Sequence, residues 1–314
     1  MKVLLTGGFG YLGGRLAQFF ASKTPYEILL GSREKTKPPE WCPKAEVVQT
    51  QWGSLTCLEH ICSAVDAVVH LAGMNAQNCA TDPVAALEVN AVATARLLHA
   101  AIRQGAKRFI YLSTAHVYGS PLNGVITEET CPVSLYPYAA SHRAGEDVVR
   151  AANRRGEIEG IVIRLSNTFG APAHKDANCW MLLVNDLCRQ AVSTQSMLLR
   201  SSGIQRRNFV PMHDVCRAID YLLHHPAQDR NRDVFNVGGD WSPPVWEMAC
   251  LIQERCTVKL GFQPKLTRII PQTGENSCDL DYRSDALRQA GFQPNANKVD
   301  EIDQLLNFCK TSFL

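Results

Sequence analysis

Val3-Leu4-Leu5-Thr6-Gly7-Gly8-Phe9-Gly10-Tyr11-Leu12-Gly13-Gly14 opens the chain as a short apolar strand running into a glycine-rich turn, with a helical pattern beginning near Leu12. Glycines at 7, 10 and 13 let the backbone turn sharply, admit a pyrophosphate to the main chain and let the helix pack tightly on the strand. The helix N-terminus offers free N–H groups to the same anion. The strand before the turn and the apolar positions after it, Leu12, Leu16, Phe19 and Phe20, supply the context that a dinucleotide site requires. Gly7, Gly10, Tyr11, Leu12 and Gly13 are therefore candidate cofactor-binding residues.

Downstream, short apolar strands alternate with helical stretches: Val3 to Thr6, Glu27 to Leu30, Val47 to Thr50, Ala67 to His70, Arg108 to Ser113 and Gly160 to Leu165. This alternation predicts an α/β fold, a Rossmann-like doubly wound parallel sheet with helices on both faces. After Gly170 the pattern breaks into loops, a helix around Met181 to Ala191 and a basic segment, then returns to the sheet through Phe209 to Pro211 and Phe235 to Val237. The expected organisation is a dinucleotide-binding domain of residues 1–170 and 209–238, with a smaller, discontinuous C-terminal substrate-binding domain of 171–208 and 239–314. The cap is expected over the carboxyl ends of the strands, where open α/β sheets bind ligands.

The chain has 314 residues, 46% hydrophobic and 20% charged, as expected of a globular enzyme with a large core. A net charge of +2 gives no reason to expect nucleic acid. No apolar run approaches the ~18 residues of a membrane span, and Lys2 leads into the first strand without a signal-peptide core. A cytoplasmic location is expected. The 12 cysteines form no Cys-x-x-Cys pair and no cluster with zinc spacing, so no metal site is expected. Cys188, Cys216 and Cys250 sit in apolar stretches and read as reduced core thiols.

The Gly-x-x-Gly-x-x-Gly spacing resembles that of the short-chain dehydrogenase/reductase superfamily. Further blocks resemble its extended branch, the NAD(P)-dependent epimerase/dehydratase family. His70-Leu71-Ala72-Gly73 looks like the segment beside the adenosine half of the cofactor, and Tyr111 to Gly119 like the catalytic hydroxyl block. Tyr136 to Glu146 looks like the catalytic tyrosine helix, and Arg164 to Gly170 like the loop on the substrate side. Arg207 to Val215 and Phe235 to Gly238 match later landmarks, so the resemblance covers nearly the whole chain. It implies Tyr138, Thr114 and His142 as catalytic residues, and Leu71, Ala72, Gly73, Asn90 and His142 as further cofactor contacts. It also implies a homodimer built on the tyrosine helix and the helix from about Pro83 to Gln104, which is apolar almost all round.

Hydride transfer at a carbinol carbon requires a proton to move on its oxygen, and a tyrosine hydroxyl beside that oxygen can donate or accept it. Thr114 would hydrogen-bond the same oxygen. A free tyrosine, with a pKa near about 10, is a poor base at neutral pH unless a cation favours the phenolate. In the family a lysine four residues on, one helical turn away, supplies that charge. Here the position holds His142, mostly neutral at its ordinary pKa of about 6.5, and Arg143 is turned away from the Tyr138 face. Three readings stand: His142 still contacts the nicotinamide ribose, another cation serves, or catalysis has lapsed while cofactor binding remains. Tyr138, Thr114 and Ser141 together favour activity.

The second strand ends Leu30-Gly31-Ser32-Arg33, without the acid that holds ribose hydroxyls in NAD enzymes. Arg33 could clamp a 2′-phosphate and Ser32 donate to it, so NADP is favoured, with NAD the alternative. Gln51-Trp52-Gly53 stands where the family usually has an aspartate near the adenine.

Family members mostly reduce, epimerise or dehydrate nucleotide-linked sugars, so the resemblance implies a small-molecule substrate of that kind. Arg207 would bind its pyrophosphate, with Asn167, Thr168 and His174 as sugar-side contacts. Pro271 to Asn276 replaces the family's Arg-x-Gly-Asp segment, and Ala115 follows Thr114 in place of an acidic pair, which speaks against a dehydratase. Reductase and epimerase are not separated, although NADP would favour a reductase. Two alternatives are a cofactor-binding regulatory or scaffolding subunit, supported by His142, and a reductase of a carbonyl that carries no nucleotide.

Overall fold

A computed structural model describes residues 1–133, 135–225 and 232–314. Seven parallel strands form the main sheet: β1 (Lys2–Thr6), β2 (Glu27–Ser32), β3 (Glu46–Gln49), β4 (Ala67–His70), β5 (Arg108–Thr114), β6 (Glu159–Leu165) and β7 (Val234–Val237). Their order is β7-β6-β5-β4-β1-β2-β3. Val3 pairs with Ile28 on one side and Ala67 on the other, so the order reverses at β1 and β4 and opens a crevice beyond their carboxyl ends. Helices cover both faces, which is why β4 reads Ala-Val-Val-His and is buried throughout.

Two apolar clusters fill the two faces. One joins Leu5, Leu16, Phe20 and Leu30 to Ile219 and Phe235, and the other joins Leu4, Leu58, Leu97, Phe109 and Val162. A third draws Leu187, Met248, Ile252, Ile302 and Leu305 from the region expected to cap the sheet onto Phe169. Within that region Ser196–Leu199 pairs with Lys265–Arg268, and bordering it Asn167–Phe169 pairs with Phe209–Pro211. Leu287 and Phe292 pack back onto the first cluster.

The helix Pro137–Arg155 starts with proline in its first turn after an extended Tyr136, and ends at Gly156 in the left-handed conformation with φ 73°. It buries Ala139, His142, Glu146, Val149 and Asn153, a stripe at three- and four-residue spacing that faces β5 and β6. Gly145 lies within that stripe because a Cβ there would come 2.5 Å from the Tyr111 hydroxyl.

The helix expected from Pro83 to Gln104 is instead three pieces: Pro83–Leu87, a π-helical turn Glu88–Val92, and Ala93–Arg103. The wider turn contains Asn90, whose side chain and carbonyl are both committed inward, as described below; such turns cluster at functional sites. The helix expected around Met181 to Ala191 spans Leu183–Thr194. All 12 cysteines are free, eight of them buried, while Cys57 and Cys250 are half-buried and Cys131 and Cys278 are exposed. Among the described residues no helix is long and apolar enough to cross a membrane.

Candidate active site

The glycine turn is a cradle that only glycine can build. Gly7 has φ +69°, and a Cβ on it would lie 2.8 Å from the Ala72 nitrogen. A Cβ on Gly13 would lie 2.1 Å from the Gly7 carbonyl. The helix Tyr11–Lys23 begins at an extended Gly10 with no side-chain cap, so its first N–H groups remain available to an anion. These features fit a dinucleotide pyrophosphate.

The facing loop after β4 is tied down from behind. Thr6 Oγ1 meets His70 Nδ1 at 2.6 Å and accepts from the Ala72 N–H at 3.4 Å. Asn90 Oδ1 accepts from the Met74 N–H at 2.8 Å, and its Nδ2 donates to Ser141 Oγ at 2.9 Å. Asn90, expected to touch the cofactor, is thus buried behind the loop with its amide engaged by the protein. Burial of His70 pushes its pKa down to about 3, the nearby His142 adding to the shift.

One cavity of about 540 Å³ gathers Gly10, Tyr11, Leu12, Leu71, Gly73, Thr114, Tyr138, His142, Asn167, Thr168 and Arg207. Gly7, Gly13 and Ala72 do not line it, and Ser32 and Arg33 stand at the end of β2 outside it, Arg33 exposed. The Tyr11 hydroxyl lies within hydrogen-bond distance of two acceptors, the Gly170 carbonyl at 2.9 Å and Asn185 Oδ1 at 3.3 Å, tying the helix Tyr11–Lys23 to the chain beyond β6. His174 is not on the sugar side: its Nε2 meets the Phe9 carbonyl at 2.9 Å and its ring stacks on Trp41. The chain after Gly170 folds over the glycine turn and carries the imidazole there.

Tyr138 and His142, one turn apart, pack edge to face with centroids 4.7 Å apart. Burial pushes the Tyr138 hydroxyl up to about 12, against the lowering effect of a hydrogen bond to Thr114. Burial also pushes His142 down to about 4, so its imidazole is neutral at pH 7. His142 Nδ1 is 3.1 Å from the Tyr111 hydroxyl, which donates to the Asn90 carbonyl at 3.1 Å. The opposite edge of the ring faces Gly73, where a Cβ would lie 3.8 Å from Nε2. Arg143 pairs with Glu146 and Asp147 and supplies no charge to Tyr138.

Beneath the site, Glu146 accepts from Ser113 Oγ at 2.6 Å and from Arg164 Nη2 at 2.7 Å, while Arg164 Nη1 donates to the Tyr118 hydroxyl at 2.9 Å. The buried ion pair fixes the tyrosine helix against β5 and β6.

Three wall residues are short of partners. Ser166 Oγ and His116 Nδ1 are buried without a hydrogen bond. No carboxylate pairs with the Arg207 guanidinium among the described residues, and burial depresses its pKa. Sequence reasoning missed His116, Ser166 and Tyr111 as functional candidates. His116 and Tyr111 both lie in the block quoted for Thr114, where helical or strand periodicity gives no sign of which way a side chain turns.

A parallel seven-stranded sheet, a glycine cradle at its switch point and a tyrosine–threonine pair over the strand ends define a nucleotide-dependent α/β enzyme. The profile of the NAD dependent epimerase/dehydratase family matches residues 3–238, and the chain belongs to that family. It is 30% identical to a UDP-glucose 4-epimerase of Azospirillum brasilense, over 96% of this chain and 89% of that one. It is 25% identical to a dTDP-glucose 4,6-dehydratase of Streptomyces niveus, over 96% of this chain and 90% of the relative. The crystal structure of a UDP-glucuronic acid 4-epimerase from Bacillus cereus, in complex with UDP-glucuronic acid and NAD, superposes with a TM-score of 0.80 at 21% identity, covering 99% of each chain.

Proposed function

We propose that this enzyme reduces a keto group on a nucleotide-linked sugar, with Tyr138 as proton donor and Thr114 as hydrogen-bond partner of the reacting oxygen. The carrying observation is the packing of Tyr138 against a neutral imidazole where a cation would favour the phenolate. Tyr138 therefore holds its proton at neutral pH and is set up to give it to an oxygen that gains negative charge. The bound dinucleotide supplies the hydride. Gly7 to Gly13 would hold its pyrophosphate, Leu71 to Gly73 would line its path, and His142 would contact the nicotinamide ribose. Ser32 and the exposed Arg33, with no acid at the end of β2, support NADP over NAD. Arg207 supports an anionic substrate, with Asn167 and Ser166 on the sugar side.

Consumption of NADPH with a panel of keto-sugar nucleotides tests this reading. Turnover lost in Tyr138→Phe supports it; no turnover with any of them, or full activity in that variant, overturns it. A second reading, C4 epimerisation, is supported by the epimerase among the relatives. It requires retained NAD and conversion of substrate without net consumption of dinucleotide.

The helix pieces from Pro83 to Val92 leave Val84 68%, Leu87 47% and Val92 42% exposed. These exposed apolar residues, on helix pieces that pack against the tyrosine helix, support the homodimer reading. Replacing Val84 and Leu87 by lysine should give a monomer in sedimentation; an unchanged species would reject this surface. Eight buried free thiols suit a reducing compartment such as the cytoplasm.

A further inference from the structure

The imidazole of His174, carried away from the sugar side, closes a ring of three contacts drawn from three segments. Its Nε2 lies 2.9 Å from the Phe9 carbonyl, within the glycine turn. A carbonyl only accepts, so Nε2 carries a proton and donates it there. The imidazole lies parallel to Trp41, in the connection between β2 and β3, with centroids 5.8 Å apart and 5° between the planes. Trp41 in turn meets the Phe9 ring edge to face at 5.9 Å. The chain that carries His174 is seated on the helix Tyr11–Lys23: a Cβ on Gly14 would lie 2.9 Å from Ala173 Cβ and 3.7 Å from Trp41 Cη2. Gly14, which the spacing of Gly7, Gly10 and Gly13 leaves unexplained, gives this segment its room.

The Phe9 carbonyl belongs to the peptide unit that leads into Gly10, the residue before the helix. The other polar end of that unit, the Gly10 N–H, donates to the Gly7 carbonyl at 2.9 Å. A peptide unit is planar, so holding both of its polar ends fixes its orientation, and with it the direction in which the chain enters the helix. Gly10, Tyr11 and Leu12, which follow it, line the main cavity, whereas His174 and Trp41 do not. We propose that His174 is a positioning residue for the dinucleotide: by donating to the Phe9 carbonyl it holds the glycine turn in the conformation that receives the pyrophosphate. This rests on the dinucleotide reading of that turn and adds to it a residue from the region expected to bind substrate, 165 positions away in the chain. A turn already formed in the free protein spares the cofactor the cost of ordering it, and that preorganisation appears as affinity. Without the anchor the unit between Phe9 and Gly10 is free to rotate, and the bound dinucleotide leaves sooner.

The test is calorimetric and stopped-flow binding of NADPH and of NADH to the nucleotide-free parent, His174→Gln and His174→Leu. Glutamine offers an amide N–H donor in place of Nε2–H, whereas leucine keeps an apolar face against Trp41 and loses the donor. For the dinucleotide that the parent binds more tightly, His174→Leu should bind roughly three- to tenfold more weakly, the scale of one net hydrogen bond, and release it faster. His174→Gln should stay close to the parent in both respects. A role in packing alone would give the reverse order, because leucine preserves the packing. Parental affinity in His174→Leu, or a loss in His174→Gln as large as in His174→Leu, would overturn the role of His174 and leave the dinucleotide reading intact. Binding of neither dinucleotide by the parent would overturn both.

Discussion

The Tyr111 hydroxyl lies 3.1 Å from both His142 Nδ1 and the Asn90 carbonyl, so the tautomer of the imidazole is tied to which of the two receives the Tyr111 proton. We predict that this proton goes to the Asn90 carbonyl, in which case the oxygen accepts from Nδ1–H and Nε2 is an unprotonated acceptor toward Gly73. That tautomer would offer a ribose hydroxyl an acceptor where a family lysine would donate.

Tyr111→Phe removes the hydroxyl and keeps the ring. Nitrogen chemical shifts of labelled histidine should then show His142 moving from a single Nδ1–H tautomer toward a mixture, with a turnover loss of about tenfold. A parent spectrum with His142 protonated on Nε2 would contradict the assignment.

His142→Lys restores a cation one turn from Tyr138 and should pull the hydroxyl down from its raised value. Each unit of that fall gives about tenfold more phenolate at neutral pH, so oxidation of the alcohol product should accelerate by at least about tenfold. Unchanged turnover in both directions would show that tyrosine ionisation does not limit the enzyme.

His142 and His70 are held neutral by burial, with values near 4 and 3. Their folded values lie below the unfolded value of about 6.5, so the neutral fold is at full advantage above it and loses ground as pH falls toward the folded values. For His142 alone the loss is on the order of 3 kcal/mol. Chemical denaturation from pH 7 to pH 4 should show this decline, reduced in His142→Gln; identical pH dependence in that variant would reject the burial account.

Gly13→Ala would place a Cβ 2.1 Å from the Gly7 carbonyl, so the turn must open. Dinucleotide binding should be lost while the far-ultraviolet circular dichroism is retained, and binding at parental affinity would refute the cradle.

What the sequence revealed and what it hid divide by range. The glycine turn is a local pattern read from its spacing, and Tyr138 with His142 one helical turn on is a local pattern marked by the family resemblance. Other features depend on which distant groups meet. Asn90 reaches Met74 and Ser141 because a π-turn redirects it, a local winding that apolar periodicity from Pro83 to Gln104 does not report. Tyr111 was placed only within the strand Arg108 to Ser113 and the block quoted for Thr114, and its hydroxyl gained a role only once Gly145 let the tyrosine helix settle over it. His174 was expected beside the sugar, yet the path of the cap carried it to the glycine turn.

The most direct measurement is calorimetric titration of the purified protein with NADPH and NADH, after assay for nucleotide carried through purification, repeated with Arg33→Ala. The account predicts exchangeable NADPH binding that weakens by about 1–3 kcal/mol in Arg33→Ala, with NADH little affected. Binding of neither dinucleotide by nucleotide-free protein would contradict it, reducing the Gly7 to Gly13 turn to scaffold.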